Sequence, residues 1–265
     1  MGKTIGVVSL KGGVGKTSVV SALGGAIANL GRKALLIDGN FSAPNLGLHL
    51  DIINPEKTIH DVLGGTIHMK DSIHEIGELL HLIPASVSHK SEINPFKLKD
   101  KVKSVKKNYD AIILDSSPSL NQETLAVMLA SDYILVVTTP DYPTLSMTLK
   151  AISLARQRGT PIAGLVLNKV YNKNFELSLD DLEKTSEVSV MAVIPHDVNA
   201  LRAVSEATPF TFYKPNSKGG KEYRKLASTL IGEKEKPVKL KRFFRWVSPN
   251  RPEINREIFY DRVFK

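Results

Sequence analysis

The chain has 265 residues, 42% of them hydrophobic and 24% charged, with a net charge of +9 and no cysteine. That length supports one large core with appendages, and the missing cysteine excludes a disulfide framework and a thiolate metal site. The opening "MGKTIGVVSL" lacks the apolar core and cleavage site of a signal peptide, and no apolar run nears the roughly 20 residues that span a bilayer. The expected setting is therefore cytoplasmic, with any membrane contact at the surface, and the positive balance favours an anionic partner: nucleotide, nucleic acid or acidic lipid.

In chain order, "TIGVVS" predicts a first strand, and the helix expected over 16–30 follows it across the glycine-rich "SLKGGVGKTS". Strands "KALLID" and "LLHLIP" precede a helix over 95–107; "DAIILDSS" precedes one over 121–130, and "YILVVTT" one over 143–158. "IAGLVLN" leads to a helix over 178–187, and "VSVMAVIP" to helices over 197–207 and 217–231. The strands are nearly continuous in apolar residues, as parallel strands covered on both faces require. Repeated β-α order predicts one α/β domain: a mostly parallel, twisted sheet with helices on both faces and ligands at the carboxyl ends of the strands. Composition changes after Gly232, so residues 1–232 are expected as the domain and 233–265 as a basic linker, an amphipathic segment and a tail.

A glycine-rich turn between a buried strand and a helix points successive N–H groups into one concavity, and the helix N-terminus adds partial positive charge. A polyphosphate fits there. Gly12, Gly13 and Gly15 allow close approach of the backbone, Lys16 reaches the β- and γ-phosphates, and the Thr17 hydroxyl binds Mg²⁺. The strict phosphate-loop pattern fails only at Leu10, where its first glycine would stand. Asp115 ends an apolar strand and is expected to organise Mg²⁺ through its water shell.

The lysine before the glycine pair narrows the class. "KGGVGKT" resembles the deviant Walker A motif of the ParA/MinD family of ATPases. "LIDGNFSAPNLGL" is similar to that family's first switch, and "AIILDSSPSLNQETLAVMLASD" to its Walker B strand and second switch. Segments at "TTPDYPTLSMTLKAI", "LVLNKV" and "VIPHDVNALRAVSEATPF" extend the likeness over most of residues 3–231. The resemblance implies a P-loop fold, ATP with Mg²⁺, hydrolysis, and an ATP-dependent homodimer in which Lys11 reaches the second copy's nucleotide. It also implies that Lys11 to Ser18, Val14 included, cradle phosphates, that Asp38 lies by the metal, and that Asn168 with Pro195, His196 and Asp197 holds adenine.

One departure bears on mechanism. Where the family's first switch reads Asp-x-Asp, this chain has Asp38, Gly39 and Asn40. An amide cannot be a base, but phosphoryl transfer depends more on positioning than on proton removal. Asn40 either orients the attacking water by hydrogen bonding or merely caps a loop, and slow turnover is expected.

Beyond the domain, Leu240, Phe243, Phe244 and Val247 fall on one helical face with Trp246 at its edge, opposite Lys241, Arg242 and Arg245. This segment resembles the membrane-targeting end of the MinD branch and predicts binding to an acidic bilayer, although it is followed by "SPNRPEINREIFYDRVFK", which has no clean apolar face. The expected function is an ATP switch that positions a division or surface apparatus at the inner face of the membrane, with an activating or cargo protein. The alternatives are a partition ATPase that binds DNA through basic patches such as "KPNSKGGKEYRK", and a nucleotide-binding scaffold that scarcely hydrolyses.

Overall fold

The computed structural model describes residues 2–88, 92–233 and 250–264. The elements are β1 (Lys3–Val8), α1 (Lys16–Asn29), β2 (Ala34–Asp38), α2 (Ile59–Gly64), β3 (His74–Gly77), β4 (Leu80–Ile83), α3 (Leu98–Val105), β5 (Ala111–Asp115) and α4 (Gln122–Ala130). They continue as β6 (Tyr133–Thr138), α5 (Tyr142–Gln157), β7 (Ile162–Val170), α6 (Leu179–Ser186), β8 (Val190–Pro195), α7 (Val198–Ser205), α8 (Phe210–Tyr213), α9 (Lys218–Leu230) and α10 (Arg251–Phe264).

The eight strands form one sheet in the order β3-β4-β2-β5-β1-β6-β7-β8. Every described pairing is parallel except the one between β3 and β4. β2 shows why the strands read as unbroken apolar runs: Leu36 packs into the core under α1 and α9, whereas Leu35 and Ile37 pack into the opposite core with α2 and α3. A third cluster joins β6 and β7 to α5 and α6. Helices thus cover both faces, and the single α/β domain expected from the sequence is what the chain forms.

All seven predicted strands are present. The stretch expected as one helix over 95–107 is α3 flanked by 3-10 turns at Pro95–Lys97 and Lys106–Asn108. Unforeseen elements are the edge strand β3, the short helices α2 and α8, and α10. Residues 250–264 were expected to trail as part of a tail; instead α10 docks against β8 and α9. Pro252, Arg256 and Phe259 are its buried residues, a face on which an arginine stands between two apolar residues and masks the periodicity. Arg256 Nη1 donates to the Met191 carbonyl and to Glu222, both at 2.7 Å, and the Phe259 ring meets Tyr133 edge-on at 5.4 Å. The amphipathic residues Leu240, Phe243, Phe244, Trp246 and Val247 lie outside the described residues. Among the described residues, no helix is long and apolar enough to cross a membrane.

Candidate nucleotide site

The strand order places β5 between β2 and β1, so three chain segments distant in sequence end side by side. Asp38 is in register with Asp115, and Asp115 with Val7, just before the glycine-rich loop. Gly39 makes the junction possible. Its N–H donates to the Asp115 carbonyl at 2.8 Å, and a Cβ there would lie 2.5 Å from that oxygen and 2.6 Å from Val127.

The loop itself runs through Gly13 at φ +80° and Gly15 at φ +87°, values that disfavour residues with a side chain. Added Cβ atoms at Gly12 and Gly13 would meet nothing within 4 Å, so the concavity beside them is open. Its outer side is braced from β7: the Asn168 amide donates to the Val14 carbonyl at 2.7 Å, and Lys169 Nζ to the Gly13 carbonyl at 2.7 Å. Lys16, 7% exposed, donates to Asp115 at 2.5 Å and to the Ser116 carbonyl, and Thr17 Oγ1 donates to the other Asp115 oxygen at 2.7 Å.

Asp38 is fully buried and accepts backbone N–H bonds from Asn40 (3.0 Å), Asn45 (3.1 Å) and Leu46 (3.0 Å), which pins the 38–46 loop. Burial, then the charge of Asp115, pushes its carboxyl well above the ordinary value, against the pull of the Leu46 and Asn40 N–H groups and Lys16. Two buried carboxylates thus share one nearby ammonium, with a hydroxyl beside them. This hard-oxygen set suits a small divalent cation, so the residues present fit Mg²⁺.

Asn40 is 5% exposed, and its side-chain amide donates to the Ala43 carbonyl within its own loop. Lys11 lies 3.2 Å from Asp141 and 2.6 Å from the Thr144 hydroxyl, at the start of α5. Beside the loop, a cavity of about 260 Å³ is lined by Gly15 and Ser18 of the phosphate cradle and by Asn168, Pro195, His196 and Asp197, the four residues the resemblance assigns to adenine. Asp197 also caps α7 by accepting from Asn199 N–H at 2.8 Å. Sequence reasoning missed Tyr171, stacked on His196 at 4.4 Å, and His49, which lines the same cavity. His49 carries a depressed pKa, chiefly from burial. Neither had a spacing signal, since His49 stands in a single 3-10 turn, Leu48–Leu50, and Tyr171 in an irregular segment.

A glycine-rich loop between β1 and a helix, with a strand-end aspartate on either side of the β2-β5 seam, defines a P-loop nucleotide site on a doubly wound sheet. A family model described as an AAA domain matches residues 2–156, and a second of that description matches residues 102–232. The septum site-determining protein MinD of Thermotoga maritima is 32% identical over 243 residues, covering 88% of this chain and 89% of that protein. Among solved structures, the cell division ATPase MinD of Pyrococcus furiosus superposes with a TM-score of 0.80 at 35% identity, over 86% of this chain and 98% of that one. The septum site-determining protein MinD of Pyrococcus horikoshii, complexed with Mg-ADP, also gives 0.80 at 31% identity, over 93% and 100%. The chain belongs to the ParA/MinD family of P-loop ATPases.

Proposed function

We propose that this chain is a Mg-dependent ATPase that works as a dimerisation switch at an acidic membrane surface, turns over slowly, and positions a division or surface apparatus with the help of an activating or cargo protein. The observation that carries the switch is Lys11. It sits on an exposed turn beside the phosphate loop, tied to Asp141 and Thr144 and to neither aspartate of the metal set. Its charge is thus not spent on the metal set, and it reaches the nucleotide of a second copy once it leaves Asp141. Lys16 holds the β- and γ-phosphates once they displace Asp115 and the Ser116 carbonyl from its ammonium. Asp115, Thr17 and Asp38 would hold Mg²⁺, which would supply charge neutralisation for the transferring phosphoryl group. Asp38 also fixes the loop that carries Asn40, whose amide orients the attacking water after leaving Ala43; the rearrangement and the missing carboxylate are both reasons for slow turnover. The cavity formed with Asn168, Pro195, His196 and Asp197 takes ribose and adenine.

DNA is the second reading. Lys218, Lys221 and Arg224 are exposed along one side of α9, a spacing that suits a phosphate backbone. Co-sedimentation with acidic liposomes and with DNA, each with and without Mg-ATP, separates the two. Truncation at Gly232 would strip α10 from Tyr133 and Met191, so the informative variant is Phe243→Glu. For the membrane reading, liposome binding requires ATP and is lost in Phe243→Glu with nucleotide affinity intact. Binding that ignores liposomes, survives that change, and falls with salt and with loss of Lys218, Lys221 or Arg224 would assign the surface to DNA instead.

A further inference from the structure

A second cavity, of about 400 Å³, opens between the two loops that flank the nucleotide site. It lies among Phe41 and Ser42 of the 38–46 loop, His60 of α2, Pro95, and Gln122 and Glu123 in the first turn of α4. Glu123 is 7% exposed. One of its carboxylate oxygens accepts from the Ser42 N–H at 3.0 Å and from the Ser42 hydroxyl. The other oxygen is buried and has no hydrogen-bond partner among the described residues.

A carboxylate withdrawn from water requires a counter-charge or a full set of donors. The start of α4 supplies partial positive charge, which offsets only a fraction of that cost. The remaining walls supply no cation, for no lysine or arginine lines the cavity among the described residues. His60 is committed to the backbone: its Nε2 lies 3.2 Å from the Phe41 carbonyl, and its Nδ1 accepts from the Ser86 N–H at 3.2 Å. That pairing ties both ring nitrogens to the backbone. Phe41 and Pro95 add apolar and aromatic surface, which favours a cation carried on an alkyl stem.

We propose that this cavity is an effector site for an alkyl-guanidinium or alkyl-ammonium group, with Glu123 taking its charge. The Ser42–Glu123 contact joins the loop that holds Asp38 and Asn40 to the helix that follows Asp115. A cation seated there fixes the two segments together and so acts on hydrolysis. This consequence rests on the nucleotide-switch reading; the binding itself does not.

The test uses the full chain with Mg-ADP at physiological salt. Butylguanidine and its neutral isostere butylurea are titrated in turn while the His60 ring signals are followed by NMR. The expected result is a preference for the cation of about ten-fold or more, abolished by Glu123→Gln and reduced by Phe41→Leu, which keeps the carboxylate and its Ser42 bonds. The blocked tripeptide Gly-Arg-Gly, compared with its citrulline counterpart, separates the sources: tighter binding than butylguanidine indicates an arginine from a protein partner, weaker binding a free small cation. Equal affinity for charged and neutral probes, or a preference that survives Glu123→Gln, overturns the proposal. Mg-ADP affinity, measured by calorimetry on the same samples, tests the nucleotide reading separately. Its absence would sink the switch while leaving the cation site to be judged on the charge preference alone.

Discussion

Lys11 Nζ lies 3.2 Å from Asp141 Oδ1, so the lysine just before the glycine pair is held by the cap of α5 within its own chain. Burial would raise the Asp141 pKa, but hydrogen bonds from Thr139, Thr144 and Lys11 outweigh it and hold the carboxyl down to about 2. Asp141 is therefore ionised throughout the physiological range, and with both side chains about 40% exposed the pair contributes under about 1 kcal/mol. Asp141→Asn should therefore lower the Mg-ATP concentration that drives dimerisation by up to about five-fold. Lys11→Ala should bind nucleotide yet stay monomeric. Sedimentation velocity decides both, and a Lys11→Ala protein that dimerises normally removes Lys11 from the interface.

Asn40→Asp should raise the steady-state ATPase rate several-fold. An aspartate cannot donate to the Ala43 carbonyl that holds the amide, so the side chain is released toward the nucleotide, where a charged acceptor polarises water more strongly. The same loss should cost about 1 kcal/mol of stability. Turnover that does not rise in a folded variant would show that another step limits the rate.

Asp38 makes the nucleotide-free protein pH-sensitive. Its pKa is raised in the folded state by burial and by Asp115, so the fold binds more protons than the unfolded chain above the ordinary value of 3.8. Stability from this group is complete below that value and is lost as pH rises through the raised one. Denaturation in EDTA should show this loss, Asp38→Asn should remove it, and excess Mg²⁺ should reduce it. An identical pH slope in wild type and Asp38→Asn would contradict the assignment.

Gly39→Ala tests the seam beneath the metal set. A methyl group 2.5 Å from the Asp115 carbonyl and 2.6 Å from Val127 must push the strand ends apart, at about 1–3 kcal/mol. Thermal melting should record that loss, and nucleotide affinity should fall with it because Asp38 and Asp115 move relative to each other. Gly12→Ala, with nothing within 4 Å of its Cβ, should leave the melting temperature almost unchanged.

What could be read from the sequence followed burial. β1, β2 and β4 to β8 are covered on both faces and announce themselves as apolar runs, whereas β3 is an edge strand whose residues are at most half-buried, so "HEIG" carries no strand signal. The phosphate loop was legible because its glycines and lysines stand at fixed spacing. The Lys11–Asp141 contact was not, since its partners are 130 residues apart, and neither was the role of Glu123, a single acid in a helical first turn. α10 escaped notice because its buried face is centred on Arg256, whose cost of burial is offset by Glu222 and a carbonyl found only in the folded chain.

The position of β5 between β1 and β2 also orders events during synthesis. The phosphate loop and Asp38 leave the ribosome early, yet the strand that separates β1 from β2 and carries Asp115 is made only after α3. Until then those two early strands have no common neighbour, and pairing them directly would build a sheet that must reopen. Parallel pairing across so long a connection is intrinsically slow, so the nascent chain should be unable to hold Mg-nucleotide until β5 has emerged, and arrested chains ending before Asp115 should remain protease-sensitive whether or not ATP is present.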